Sequence, residues 1–290
     1  MEKLQANYPV GALAEALDVS RSGFYSHLQK PAGPRRVRDA VLAPLIAQSF
    51  ARSRRTYGSP RVLCDLRELG ERCGKNRVAR LMSALGLCAR QKRRFRPRTT
   101  DSRHEDPIAA NWLARVPAPD APGMVWQSDF TYIETAEGWL YLAFTLDACT
   151  RRCVAHHCRA DMRGELTTTT LALALLRQPP PPGLLHHSDR GSQYAAADFA
   201  RLAAANGITL SMSRTGNPYD NALAESFVAT LKAECFDDSI PPTRAAAELM
   251  AFDYIETFYN SRRRHSSLGQ RSPRDFHSQM FPHNQDNKTN

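Results

Sequence analysis

At Val125 the spacing of apolar residues switches from helical to strand-like, and that switch limits the folds open to this chain of 290 residues. Residues 125–134, 139–146 and 152–159 read as three successive strands joined by short turns, including Glu137-Gly138 and Thr150-Arg151. Residues 165–178 then read as a helix, 179–182 as a run of prolines that stops it, and 183–188 as a fourth strand. A helix over 195–205, a fifth strand over 208–213, a loop over 214–221 and a helix reaching Cys235 complete the pattern. Three antiparallel strands followed by alternating helix and strand predict an α/β fold, a mixed sheet flanked by helices. That element order is the one expected of a ribonuclease H-like core.

The residues before Val125 predict small all-α domains. Residues 9–29 hold a short Ala/Leu helix, the turn Asp18-Val-Ser20 and a second helix, a helix-turn-helix pattern. Ser20 is placed to cap the second helix, and Arg21, Ser22 and Tyr25 to point outward, as a groove-reading helix requires. Any helical hairpin with a polar turn looks similar, so this motif alone does not establish DNA contact. After a Pro/Gly/Arg linker at 31–38, helices are expected over 41–50, from Tyr57-Gly-Ser-Pro-Arg61 through Leu69, and over 75–85. Gly70 and Gly86 stand where helix ends need a left-handed residue, and Arg77 and Arg80 share one exposed face. Residues 90–98 carry six basic side chains, among them Lys92, Arg93 and Arg94, and run into a Pro/Ala-rich stretch. It reads as a linker lying on a nucleic-acid backbone or as a plain interdomain tail.

The expected organisation is a helix-turn-helix-like segment at 1–30, a helical DNA-binding domain at 35–90 and a basic, Pro-rich linker at 91–123. A ribonuclease H-like core is expected over 124–236, a C-terminal helical extension over 237–276 and a disordered tail over 277–290. Charge follows this division. The chain carries +10 overall, but residues 1–110 hold 22 Lys/Arg against 10 Asp/Glu, whereas residues 111–290 hold 17 against 19. A front half that grips phosphates accounts for that segregation, as does a merely solvated basic face. No apolar run approaches the roughly 17 residues of a membrane span, and the N-terminus lacks the apolar block of a signal peptide. With seven cysteines, an odd number without repeated spacing, a cytoplasmic protein with reduced thiols is expected.

Three carboxylates stand at element ends: Asp129 in Trp126-Gln-Ser-Asp-Phe-Thr-Tyr-Ile133, Asp189 in His186-His-Ser-Asp-Arg-Gly-Ser-Gln-Tyr194, and Glu225 in Asn217-Pro-Tyr-Asp-Asn-Ala-Leu-Ala-Glu-Ser-Phe227. An isolated Asp or Glu is usually a cap or a surface charge. In a sheet that pairs the first and fourth strands, however, a helix crossing its edge aims Glu225 at both aspartates. Carboxylates so close repel unless cations bridge them, and hard oxygen ligands suit Mg²⁺ or Mn²⁺. Two ions per site can activate an attacking oxygen and stabilise the leaving oxygen of a phosphodiester.

At these residues the chain resembles the transposases of the large insertion-sequence family numbered three, specifically the product of their second reading frame, and more distantly retroviral integrases. Thirty-five residues separate Asp189 from Glu225, the spacing of that group's acidic triad, and Lys232 follows seven positions after Glu225. The tail, Tyr254-Ile-Glu-Thr-Phe-Tyr-Asn260, Arg264-His-Ser-Ser-Leu268 and Ser272-Pro273, is similar to the family's C-terminal signature, and Tyr57-Gly58, Arg61 and Arg80-Leu-Met82 to its preceding helical domain. The resemblance covers residues 9–276. It implies that Asp129, Asp189 and Glu225 are the catalytic, metal-binding residues of a DNA transposase that cleaves and joins strands by transesterification. It also implies that Lys232 binds terminal DNA, and that the chain assembles as a homo-oligomer on element ends and target, in the bacterial nucleoid. The alternative is a second-frame product that is catalytically incomplete, binding DNA or regulating a frameshift fusion with the upstream-frame product.

Further DNA contacts are expected from Arg21, Arg61, Arg77, Arg80, Lys92, Arg93, Arg94, Asn217, Tyr219, Asn221 and Arg264, with Asp220 or Asn221 as a helix cap. The cluster 262–265 reads as phosphate-binding, Asp147 as structural, and His187 as a buttress of the Asp189 turn. The apolar positions of a helix over 248–260 read as core or partner-facing packing. Cys149, Cys153, His156, His157 and Cys158 lie within ten residues, but their alternation on a strand and lack of a second knuckle leave no zinc expected.

Overall fold

In the computed structural model, which describes residues 1–29, 33–90, 107–214, 220–236 and 240–281, the sheet is built outward from one long strand. This strand, β1 (Val125–Thr135), runs antiparallel to β2 (Gly138–Asp147), in register from Trp126↔Asp147 to Thr135↔Gly138. Gly138 closes the turn at a φ of 101°, a backbone conformation that favours glycine. On the far side of β2 lies β3 (Cys153–Arg159), antiparallel, with an irregularity between Thr145 and Leu146. The other edge of β1 takes β4 (Leu185–Ser188) in parallel, and β4 takes β5 (Thr209–Met212) in parallel. The spatial order is β3-β2-β1-β4-β5. This is the mixed, helix-flanked sheet of a ribonuclease H-like core.

Strand alternation divides the apolar residues between two layers. Trp126, Phe130 and Ala143 face α6 (Glu165–Arg177) and α8 (Ala197–Ala205), where Leu166, Leu171 and Phe199 are buried. The helix expected over 195–205 is interrupted by extended backbone at Ala196, which separates the short α7 (Ser192–Ala195) from α8. Ile133, Leu142 and Phe144 face the opposite way, onto Phe227 and Leu231 of α9 (Ala222–Cys235) and Ala247 and Ala251 of α10 (Arg244–Phe252).

That second layer continues without a break into the N-terminal helices α3 (Pro34–Arg52), α4 (Ser59–Glu68) and α5 (Lys75–Ala84), through Ile46, Phe50, Val62, Leu66 and Val78. The segment expected as a linker at 31–38 instead contributes the first turn of α3, because Gly33 caps it and Pro34 takes the first helical position. Gly70 and Gly86 adopt the left-handed conformation expected of them. Ahead of this unit, α1 (Val10–Ala16) and α2 (Arg21–Gln29) form the expected hairpin, with Ser20 Oγ accepting from Gly23 N at 3.0 Å.

The C-terminal helix starts earlier than the apolar pattern suggests, since Thr243 Oγ1 accepts from Ala246 N at 3.0 Å and caps α10 at Arg244. It then widens into a π-helix, Asp253–Tyr259, which buries Tyr254, Ile255, Phe258 and Tyr259 together. Asn260 follows and makes a two-way bond with the backbone of Cys153, 2.9 Å in each direction. Helix α11 (Pro273–Met280) extends order past the expected start of the tail at 277. Among the described residues no helix is long and apolar enough to cross a membrane.

Candidate active site

The β1–β4 register brings two of the three carboxylates to one level. Gln127 pairs with His187, and Asp129 and Asp189 each follow two residues later along parallel chains. Buried polar bonds fix that register. Ser128 Oγ bonds His186 Nε2 and Thr145 Oγ1, both at 2.8 Å, and His187 Nδ1 bonds Ser211 Oγ of β5 at 2.9 Å. Burial holds His186 down to about 3 and His187 to about 4, so both are neutral linkers. His187, expected as a buttress of the Asp189 turn, is instead seen bonded to β5. Beyond β4, Gly191 N donates to Asp189 Oδ1 at 3.0 Å. A Cβ at 191 would stand 3.1 Å from that oxygen and 3.0 Å from Gln193 Oε1, so a larger residue would crowd the turn.

Helix α9 supplies the third carboxylate. Glu225 lies in its exposed first turn, and Asn221 at its N-cap donates from Nδ2 to Asp129 Oδ2 at 2.9 Å. The other oxygen of Asp129 accepts from Phe130 N at 2.8 Å. Burial of the carboxyl, then the charge of Asp189 and that of Glu225, push Asp129 well above the usual carboxylate range, against those two hydrogen bonds. Tyr194 Oη and Asn221 Oδ1 are also buried, with no hydrogen-bond partner among the described residues. Among the described residues no three His, Cys, Asp or Glu side chains form a ready cage for one metal ion.

Asp220, beside Asn221, ties this helix start to two other segments. Its Oδ2 accepts from Arg214 N at 3.0 Å, Arg214 Nε at 3.1 Å and Asn111 Nδ2 at 2.7 Å. The Arg214 guanidinium keeps Asp220 below the ordinary carboxylate range. Residues 107–116 are thereby strapped to the site, and Ser211 Oγ adds bonds from Trp112 N at 3.0 Å and Leu113 N at 3.2 Å. Local spacing suggested only a cap at Asp220; Asn111 gave no signal, because its partner is 109 residues away.

Comparison with known proteins matches the integrase core domain family over residues 119–218 and 206–273, and the HTH-like domain family over 36–95. Transposase InsF of insertion sequence IS3A from Escherichia coli strain K12 is 34% identical over 278 residues, 95% of this chain and 96% of that protein. The chain belongs to the IS3 family of insertion-sequence transposases. An uncharacterized 31 kDa protein of insertion element IS600 from Shigella sonnei is 44% identical to this transposase over 264 residues, 91% of this chain and 97% of its own. Among solved structures, a chain of the simian T-cell lymphotropic virus intasome in complex with PP2A regulatory subunit B56 gamma aligns with a TM-score of 0.47 at 16% identity, covering 71% of this chain and 70% of that one. The HTLV-2 integrase catalytic core in complex with magnesium aligns at 0.43 and 15%, covering 55% and 98%.

The transposase's expected DNA contacts fall into distinct environments. Lys232 Nζ lies 4.4 Å from the centroid of the Tyr132 ring, which meets Trp139 edge-on at 4.9 Å. Arg21 is exposed on α2. Arg77 and Arg80 share Asp39, at 2.8 and 2.6 Å. Asn221 turns to Asp129 instead of outward. Lys92, Arg93, Arg94, Asn217 and Tyr219 lie outside the described residues.

Two further arginines expected on phosphate have partners within the protein. Arg61 stacks 5.4 Å over Tyr57, and Arg264 bonds Asp65 at 2.6 Å, Glu68 and the carbonyl of Gln270 at 2.8 Å. Their neighbour Arg263 forms a fork with Glu234, at 2.8 and 2.7 Å, where Tyr254 Oη also donates. Arg263 and Arg264 therefore tie the α3–α5 unit, α9 and the tail together, while Arg262 is exposed. The counter-charges of Arg263 and Arg264 are remote in sequence, which is why the run read as a free cationic patch. Asp147 is fully buried and accepts from Thr150 N at 2.8 Å, Cys149 N at 3.1 Å and Gly123 N at 2.6 Å, a structural role as expected. In the nearby Cys/His run, Cys153 and Cys158 are buried among apolar residues and His156 lies 3.4 Å from Glu256.

Proposed function

We propose that this transposase cuts and joins DNA at the ends of its insertion sequence with Asp129, Asp189 and Glu225 as the catalytic carboxylates. The observation that carries the reading is geometric: the parallel β1–β4 pairing sets Asp129 and Asp189 at one level, and Asn221, one turn before Glu225, bonds Asp129, so a half-buried carboxyl crowded by like charges is a place built for added positive charge. The donor set fits divalent cations. Its ligands are hard oxygens, and two orphaned polar atoms, Tyr194 Oη and Asn221 Oδ1, lie buried nearby. Asp129 with Asp189 and Asp129 with Glu225 would hold two Mg²⁺ or Mn²⁺ ions, the remaining positions being open to DNA phosphate and water. When bound, such ions supply Lewis acidity and charge neutralisation for in-line attack by water or a DNA 3′-hydroxyl on a phosphodiester.

The chain's own groups set the geometry. Phe130 N–H and the Asn221 amide orient the Asp129 carboxyl, Gly191 N–H orients Asp189, and the Asp220–Arg214–Asn111 clasp holds the start of α9, hence Glu225. Lys232, two turns along from Glu225, is positioned to meet the phosphate of a DNA end. Work at two DNA ends calls for a homo-oligomer on DNA, in the bacterial cytoplasm and nucleoid.

The test is strand transfer by the purified chain on a labelled duplex carrying the element's end, with Mg²⁺, Mn²⁺ or EDTA, beside Glu225→Gln. Metal-dependent products lost in the variant support the reading. Where the chain alone is inactive, adding the upstream-frame fusion separates a regulatory second-frame product, active only when fused, from a wrong assignment of the carboxylates.

A further inference from the structure

We propose that the open groove of about 660 Å³ between the first turns of α3 and α5 is a DNA-phosphate cleft whose affinity is set by Asp39. The inference rests on the transposase reading and adds to it a site, a ligand class and a regulator of its strength.

The groove is lined by Pro34, Arg35, Arg38, Asn76, Arg77 and Arg80. Four guanidiniums and one carboxamide around a single opening are all hydrogen-bond donors to phosphate oxygen, and the guanidiniums match it in planar, bidentate fashion. Two carboxylates stand behind them. Asp39 takes Arg77 Nε at 2.8 Å on one oxygen and Arg80 Nη2 at 2.6 Å on the other, while Arg38 pairs with Glu71. The cluster keeps a net charge of +2, and three of its four arginines, Arg38, Arg77 and Arg80, are held by ion pairs before any ligand arrives. Arg77 is further fixed by donating to the carbonyl of Arg35 at 3.0 Å, across the groove.

This arrangement distinguishes backbone gripping from base reading. A recognition helix reads bases with side chains that project freely from its first turns. Arg77 and Arg80 instead lean on Asp39 of α3, so their remaining donors face the groove. Phosphate bound there positions the duplex without selecting its sequence. Asp39 neutralises part of the charge and keeps the contact weak and salt-sensitive. The reducing effect of Arg77 and Arg80 on the Asp39 proton affinity agrees with a carboxylate that stays ionised while it does so.

The experiment is duplex binding by fluorescence anisotropy in EDTA, from low to physiological NaCl, with a random-sequence duplex and an element-end duplex. Arg35→Ala with Arg38→Ala is expected to weaken both duplexes about tenfold and to flatten the slope of log K against log salt by roughly 1–2 units. Asp39→Asn, which removes the counter-charge, is expected to strengthen both about two- to fivefold and steepen the slope. Unchanged affinity and slope in the double variant, or loss confined to the element end, overturns the cleft. Circular dichroism shows whether each variant keeps its helices, and the opposite signs expected of the two variants cannot both come from misfolding. Because the readout needs no catalysis, binding unaffected by either variant sinks the cleft alone, whereas no duplex binding by the unmodified chain, alone and as the upstream-frame fusion, contradicts the transposase reading as well.

Discussion

Asn221 Nδ2 donates to Asp129 Oδ2 at 2.9 Å, so the residue that starts the Glu225 helix also holds the central carboxylate of the first strand. One side chain thereby couples two elements 92 positions apart. Asn221→Ala removes that bond without adding charge and is expected to lower strand transfer about 10- to 100-fold, the usual cost of losing a group that orients a metal-binding side chain. A titration of activity against Mn²⁺ checks it: the midpoint should move to higher metal, with end-DNA binding little changed. Wild-type metal dependence would show that the bond is incidental.

Asp220 provides a second, independent handle on the same helix. Asp220→Asn keeps shape but gives up the ion pair with Arg214, and strand transfer should fall about tenfold. Asn111→Ala should act in the same direction through the strap, and the double variant should lose less than the product of the two, because both act through one carboxylate. Multiplicative losses in a double-mutant cycle would show separate roles.

The C-terminal arginines should behave as structural groups. Arg263 and Glu234 are 6% and 8% exposed, so Arg263→Ala strands a buried charge and is expected to cost about 3–5 kcal/mol in urea denaturation. Arg264→Ala should lower the unfolding midpoint while leaving the salt slope of DNA binding as it was. A flattened slope with unchanged stability would return Arg264 to the DNA.

Acid should loosen the sheet through its central histidines. Burial holds His186 at about 3 and His187 at about 4, whereas in the unfolded chain a histidine ionises near 6.5. Above pH 6.5 both states carry neutral rings and no difference arises. Below it the unfolded chain binds protons that the fold refuses, so stability falls by about 1.4 kcal/mol per pH unit for each ring, down to about pH 4 for His187 and about pH 3 for His186. Denaturation midpoints at pH 7.5 and 5 test this, and His186→Asn should reduce the slope. A midpoint flat over that range would contradict neutral burial.

Periodicity carried the element order because each strand buries alternate residues and each helix one face; the residues flanking Asp129, Asp189 and Glu225 carried the candidate site. What local spacing missed depends on contacts distant in sequence. Arg264 finds Asp65 and Glu68 nearly two hundred residues upstream, and no window along the chain contains both charges. The π-helix at Asp253–Tyr259 escaped too: ordinary helical spacing does not encode the widened turn in which Tyr254, Ile255, Phe258 and Tyr259 are all buried. The first two turns of α3 escaped because Pro34, read as part of a linker, is a favourable first residue once Gly33 caps the helix.

The most direct test of the account is to count Mn²⁺ ions bound to the transposase on an element-end duplex, by electron paramagnetic resonance, in the wild type and in each carboxylate variant. If Asp129 is shared by both pairs, the wild type binds about two ions, Asp189→Asn and Glu225→Gln each retain about one, and Asp129→Asn retains neither. A wild-type complex without bound Mn²⁺, or an Asp129→Asn complex that keeps both ions, would contradict it.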